Sequence, residues 1–186
     1  AKIQVDNIVN TLSQASPQAK DAFTAAGKKY TDQLEDLDKW ASDSMSAVPE
    51  QDRVLFSSHD AFGYFSNEYG VKFIGSALSD FNHQQDATSS HIDEQVKKVR
   101  ESGAKAIFAE NSNNSKSIEA IARAAGVKAV TSDDALYGDS LGVPGSEGET
   151  YIGSIVHNIN TLVSAWGSEQ QPLPESLQAF DFAKRK

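Results

Sequence analysis

Cysteine is absent from all 186 residues, which excludes disulfide cross-links and every form of thiolate catalysis or ligation. The redox compartment stays open, because a cysteine-free chain suits either side of a membrane. No apolar run approaches the roughly 18 residues that a membrane span requires, and no secretory leader is legible. Lys and Arg number 17 against 26 Asp and Glu, giving a net charge of -9 and a pI near 4.8. The basic residues are scattered, with no long run, which disfavours a nucleic-acid groove or an anionic membrane surface as partner. Also missing are a nucleophile elbow, a phosphate-binding glycine loop and a His-Glu-x-x-His helix. The segment "AFGYF" holds one glycine and gives no dinucleotide fingerprint. The chain begins with Ala1, inside a helical pattern, and so reads as a processed or trimmed product, any targeting segment having been lost with the missing part.

What is present suits one well-packed domain, with 39% hydrophobic residues. Residues 1–50 are helical and polar, with Ile3, Ile8, Val9 and Leu12 on a helical stripe. Ser16-Pro17 breaks that helix, and Pro17 suits the first turn of a second one. The second helix is expected to run from 17 to 47 through Phe23, Tyr30, Leu34, Leu37 and Met45, a strut ended by Val48-Pro49. From residue 53 the rhythm changes. Short apolar strands are expected at 53–56, 71–74, 105–109 and 127–130, alternating with helices at 60–69, 88–102 and 114–125. A loop rich in Gly, Ser and Asp covers 138–150, an amphipathic helix 149–166, and a short helix 175–184. This alternation predicts an α/β fold, a mostly parallel four-stranded sheet flanked by helices, with a helical segment 1–50 and an α/β lobe 51–186.

The chemistry-bearing residues gather at predicted strand ends. His59 follows the first strand, at the carboxyl edge where open parallel sheets bind ligands. It suits a metal ligand or a base, and equally a histidine packed over Phe62 and Tyr64. Asp60 reads as the cap of the following helix. Glu110 closes "AIFAE" at the equivalent place on the third strand, where a carboxylate can bind metal, orient a ligand or simply face solvent. Asp139, with Asp133 and Asp134, lies after the fourth strand; the spacing is not that of a calcium loop, and ordinary Asx turns explain it equally well. His83 and His91 are expected to face solvent, and His157 to pack or hydrogen-bond within its helix. Trp40, Trp166, Tyr64 and Tyr69 read as core or interface aromatics. Ser57 and Ser58 beside His59 carry no signal for hydrolysis above that of any loop serine.

Taken together, "SHDAFGYF", "AIFAENSNNSKSIEAIA", "LYGDSLG" and "GETYIGSIVHNINTLVSAW" resemble the metal-binding receptors of manganese and zinc ABC importers, the cluster A-I solute-binding proteins. The likeness runs over essentially the whole chain. It implies two α/β lobes joined by a long helix, here 17–47, with a metal ion between them held by four side chains. In this chain the third ligand falls on His59 and the fourth on Asp139, while Glu110 matches an acidic residue near the site. The first two ligands, both histidines, have no counterpart, so the chain resembles the C-terminal lobe of a larger receptor that lacks its N-terminal lobe. The implied role is capture of Mn2+ or Zn2+, weakly in this piece, and delivery to a membrane permease. The implied location is extracytoplasmic in bacteria, periplasmic or as a cell-surface lipoprotein. Self-association through the surface left bare is a further expectation. No catalysis is implied; an adhesin-like surface protein is the alternative, and a metalloenzyme a more distant one.

Overall fold

The computed structural model describes residues 1–78 and 89–182. Two compact units divide the chain, Ala1–Trp40 with Pro172–Lys186, and Ala41–Gln171. The first contains α1 (Lys2–Ala15), a 3₁₀ turn at Pro17–Ala19, the start of α2 (Lys20–Ser46), and a second 3₁₀ stretch at Glu175–Phe180. Pro17 opens the first of these turns, where its missing N–H is no loss. The expected second helix is therefore a 3₁₀ turn followed by a 27-residue α-helix. The expected helix at 175–184 is a 3₁₀ stretch that ends at Phe180. There Gln33 donates to the Ser176 carbonyl at 3.0 Å and Ser176 to Asp36 at 2.5 Å, tying the stretch to α2.

The second unit contains β1 (Val54–Ser57), α3 (Gly63–Glu68), β2 (Lys72–Ser76), α4 (Ser89–Ser102), β3 (Ala106–Phe108), α5 (Lys116–Ala125), β4 (Lys128–Val130) and α6 (Tyr151–Ala165). All four predicted strands are found, and each pairs in parallel: β1 with β2, with a register shift between Leu55 and Phe56, and β3 with β4. The expected continuous sheet differs in one respect. β1 lies beside β3, yet the bonded ladder is interrupted between them, leaving two strand pairs. Just past the ends of these strands the Glu110 backbone N–H donates to the Ser58 hydroxyl at 3.1 Å.

The two central strands, β1 and β3, are buried along their whole length and accordingly apolar. Leu55, Phe56, Ile107 and Phe108 have no exposed surface, and α5 adds Ile118, Ile121 and Ala122 at helical spacing. Each of the Leu, Ile and Phe side chains contributes about 1.5–3 kcal/mol on burial. Helix α6 is buried around most of its circumference, and Trp166 at its end donates to the Val54 carbonyl at 3.1 Å with its ring edge-on to Phe108. Gly126 ends α5 in the left-handed conformation, φ 77°, as its position after the apolar stripe predicts.

Helix α3 is shorter than expected. It starts at Gly63 with Phe62 at its cap position and no side-chain cap bond, so Asp60 does not cap it. The main chain at 59–61 makes its own turn instead, Ala61 N–H donating to the His59 carbonyl at 3.1 Å. Of the four aromatics, Trp40 and Trp166 are core, Tyr69 is partly buried, and Tyr64 is 97% exposed, so it takes no part in the core.

Candidate metal centre

Three chain segments meet at the carboxyl ends of the strands. β1 delivers His59, β3 delivers Glu110, and the loop after β4 delivers Asp139. The backbone at β1 is fixed by Ser57, whose hydroxyl donates to the His59 carbonyl at 2.7 Å. Both serines before His59 are buried and occupied in this way, Ser58 by the Glu110 N–H, so neither is a nucleophile.

Glu110 is 1% exposed. Its Oε1 accepts the His59 backbone N–H at 3.0 Å, and its Oε2 lies 2.8 Å from His59 Nδ1. That short approach lacks full hydrogen-bond alignment, and Oε2 has no aligned donor. On the other side of the ring, His59 Nε2 is 2.6 Å from Asp139 Oδ2. Asn113 Nδ2 sits 3.2 Å from Nδ1. A proton on Nδ1, directed at Glu110, requires the Asn113 amide to turn over and present its oxygen; amide oxygen and nitrogen are interchangeable in shape.

Burial works against charge on His59, but the negative Glu110, the Asp139 hydrogen bond and charge, and the Glu110 hydrogen bond outweigh it, and the pKa is raised above the ordinary histidine value. Burial holds the Glu110 carboxyl above the usual carboxylate range, against the His59 N–H and imidazole that pull it down. Both shifts favour a proton kept between the two groups. The imidazole is partly exposed and Asp139 mostly so, at 26% and 63% of their side chains, so these two groups can meet an incoming solute while Glu110 cannot.

This arrangement can hold a cation. In the metal-free chain the 2.6 Å contact carries a proton between Nε2 and Asp139; an incoming cation would displace it, and with Nδ1–H turned to Glu110 the Nε2 lone pair would then be free beside the carboxylate, a carboxylate–histidine pairing that orients a metal-binding ring. Two donors on one Zn2+-sized ion lie roughly 3–3.5 Å apart, so the present 2.6 Å contact must part by under roughly 1 Å. Among the described residues no group of three His, Cys, Asp or Glu side chains is arranged to enclose an ion. Asp133 and Asp134 lie on a separate 3₁₀ turn and are exposed. His83 lies outside the described residues, and His91 falls on α4 with its side chain outside them. His157 is buried, as its helical position suggests, with Nδ1 2.8 Å from Glu147 and Nε2 3.0 Å from the Ala135 carbonyl.

Residues 1–165 match the family described as zinc-uptake complex component A, periplasmic. The chain belongs to this family. The relatives it matches carry the names of metal-binding proteins. Among the relatives, the manganese-binding lipoprotein MntA of Bacillus subtilis is 40% identical over 163 residues, 87% of this chain and 53% of that protein. The zinc-binding protein TroA of Treponema pallidum is 31% identical over 163 residues, 87% of this chain and 52% of that protein. The solved structure of the periplasmic zinc-binding protein TroA superposes with a TM-score of 0.77 at 29% identity, covering 88% of this chain and 59% of that one. The chain thus spans about half the length of the curated relatives it matches, 53% and 52% of the two above.

Two residues that sequence reasoning passed over, Asn111 and Asn158, hold the Asp139 loop. Asparagine next to an acidic strand end was the only local signal for Asn111; nothing marked Asn158.

Proposed function

We propose that this chain is the C-terminal lobe, with its connecting helix, of an extracytoplasmic bacterial receptor that captures a manganese or zinc ion for an ABC importer. His59 Nε2 and the Asp139 carboxylate supply two of the ion's four protein ligands. The observation that carries the reading is the 2.6 Å approach of Nε2 to Oδ2 at the strand ends, with buried Glu110 behind Nδ1. The names of the relatives support the cargo class, one a manganese and one a zinc binder. Histidine with carboxylate serves either ion. The other two ligands belong to the N-terminal lobe, so this lobe alone binds weakly, with water completing the shell. The partners are that lobe and a membrane permease, and the receptor sits in the periplasm or on a lipid anchor.

Calorimetric titration with Mn2+ and Zn2+ tests this on the chain and on its His59→Ala, Asp139→Ala double variant. Weak binding that disappears in the double variant is expected. Undiminished binding by the double variant places the ion elsewhere and overturns the ligand assignment.

A further inference from the structure

Asp139 is an exposed side chain on a glycine-rich loop, the setting in which a ligand is least well held. Its backbone is nevertheless fastened on both sides. Two residues before it, Tyr137 is bracketed by one side chain: its N–H donates to Asn158 Oδ1 at 2.8 Å, and its carbonyl accepts from Asn158 Nδ2 at 2.8 Å. Asn158 is 1% exposed on the rigid helix α6. Directly after Asp139, Asn111 Nδ2 faces the Ser140 hydroxyl at 2.9 Å, the Ser140 carbonyl at 3.3 Å and the Leu141 carbonyl at 3.4 Å. Asn111 is itself anchored one residue beyond Glu110, its N–H donating to the Leu136 carbonyl at 2.9 Å.

The loop beyond is also tied down. Gly142 N–H donates to the Gly148 carbonyl at 2.8 Å. A Cβ at Gly148 would overlap the Tyr137 ring, so glycine lets the chain lie on that ring. His157 stacks edge-on to Tyr137 at 4.9 Å and reaches Glu147 on the same loop.

We infer that Asn158 and Asn111 are positioning residues that preset the Asp139 carboxylate for the cation, one fixing the chain before it and the other the chain after it. The inference rests on Asp139 being a ligand, as proposed above. A carboxylate on a free loop would be ordered at the moment of binding, and the entropy of that ordering would subtract from affinity. Here the ordering is completed on folding. Neither asparagine touches the ion; each acts through the main chain.

Asn111 is exposed, so its replacement leaves the core intact. The test titrates Mn2+ and Zn2+ into the chain and into Asn111→Ala, Asn111→Gln and Asp139→Ala, with thermal melting of each. The expected result is an affinity about tenfold lower in Asn111→Ala, the size typical of residues that orient a ligand, at an unchanged melting temperature. Partial recovery is expected in Asn111→Gln, which keeps the donor on a longer arm. Asn158→Asp keeps the acceptor for the Tyr137 N–H and removes the donor to its carbonyl; it should weaken binding as well. Backbone hydrogen exchange over 138–142 without metal should accelerate in Asn111→Ala. If Asp139→Ala loses affinity while Asn111→Ala and Asn158→Asp bind as the parent does, the positioning role is wrong and the ligand reading stands. If Asp139→Ala binds undiminished, the ligand reading fails and this inference with it.

Discussion

Replacing Glu110 by Gln separates metal capture from folding. The side chain keeps its size, and one carbonyl oxygen still accepts the His59 N–H that Oε1 now takes at 3.0 Å. What is lost is the second oxygen, 2.8 Å from Nδ1, which becomes an NH2 group facing the ring. The imidazole then has no carboxylate to hold its Nδ1 proton, and the tautomer that leaves Nε2 bare loses its preference. Removing such an orienting carboxylate costs about 10–100-fold in affinity, and the lower end applies because Oε2 lacks an aligned donor and Asn113 remains beside Nδ1. The expectation is about tenfold, or ~1.4 kcal/mol. Stability should respond differently. Breaking a buried ion pair is costly only when it strands a charge. Here the charge removed is the buried one, and the partly exposed His59 can release its proton. Urea unfolding should therefore change by less than about 1 kcal/mol. Calorimetry with Mn2+ and Zn2+, beside urea melts of the metal-free chain, reads both quantities. Undiminished affinity in Glu110→Gln would refute the orienting role, and a loss of stability matching the loss of affinity would reduce Glu110 to a structural residue.

The pH dependence follows from His59. Burial lowers its folded pKa, but Glu110 and Asp139 together outweigh burial and raise it, so the group stabilises the metal-free chain fully below its unfolded pKa of ~6.5. That contribution is lost as pH rises through the folded value; His59→Gln should flatten urea stability across this window, while metal affinity of the parent rises through it as the ring gives up its proton. Trp166→Phe removes the donor to the buried Val54 carbonyl and shrinks a fully buried ring, so it should cost roughly 2–4 kcal/mol in urea unfolding; a change under half that would mean the carbonyl finds another donor. Gly148→Ala pushes a methyl into the Tyr137 ring, an overpacking worth about 1–3 kcal/mol; thermal melting checks the cost, and an unaltered melting temperature would show that the loop lifts off freely.

β1 and β3 were legible because they are apolar runs buried along their whole length; β2 and β4, less buried, were marked by the glycine-ended helices that alternate with them. The end of α5 was legible at Gly126, where the left-handed conformation selects glycine. The approach of His59 to Asp139 does not follow from spacing, since the two are 80 positions apart and meet only because parallel strands bring their ends to one edge. It came through resemblance to a family. Asp60 misled because a carboxylate before a helical run suits a cap, while here the main chain turns at 59–61 and the helix starts three residues after it. The bond from the Glu110 N–H to the Ser58 hydroxyl, just past the ends of β1 and β3, was not legible either, because side-chain partners leave no trace in a hydropathy pattern. Asn158 was hidden for the same reason. A buried asparagine on an apolar helix is noticed only when the backbone it brackets is in view.

The double fastening around Asp139 also bears on how such a sequence can drift. Between Tyr137 and Leu141 every residue is counted out by anchors on two separate elements, α6 and the turn after β3. An insertion or deletion there would slide one anchor past its partner, so descendants of this chain should keep the length of that span even where its side chains change. Val143, 72% exposed, and Gly145, with nothing near its missing Cβ, lie outside the fastening. Length variation among lineages should collect there, a few residues from the proposed cation site, without disturbing it.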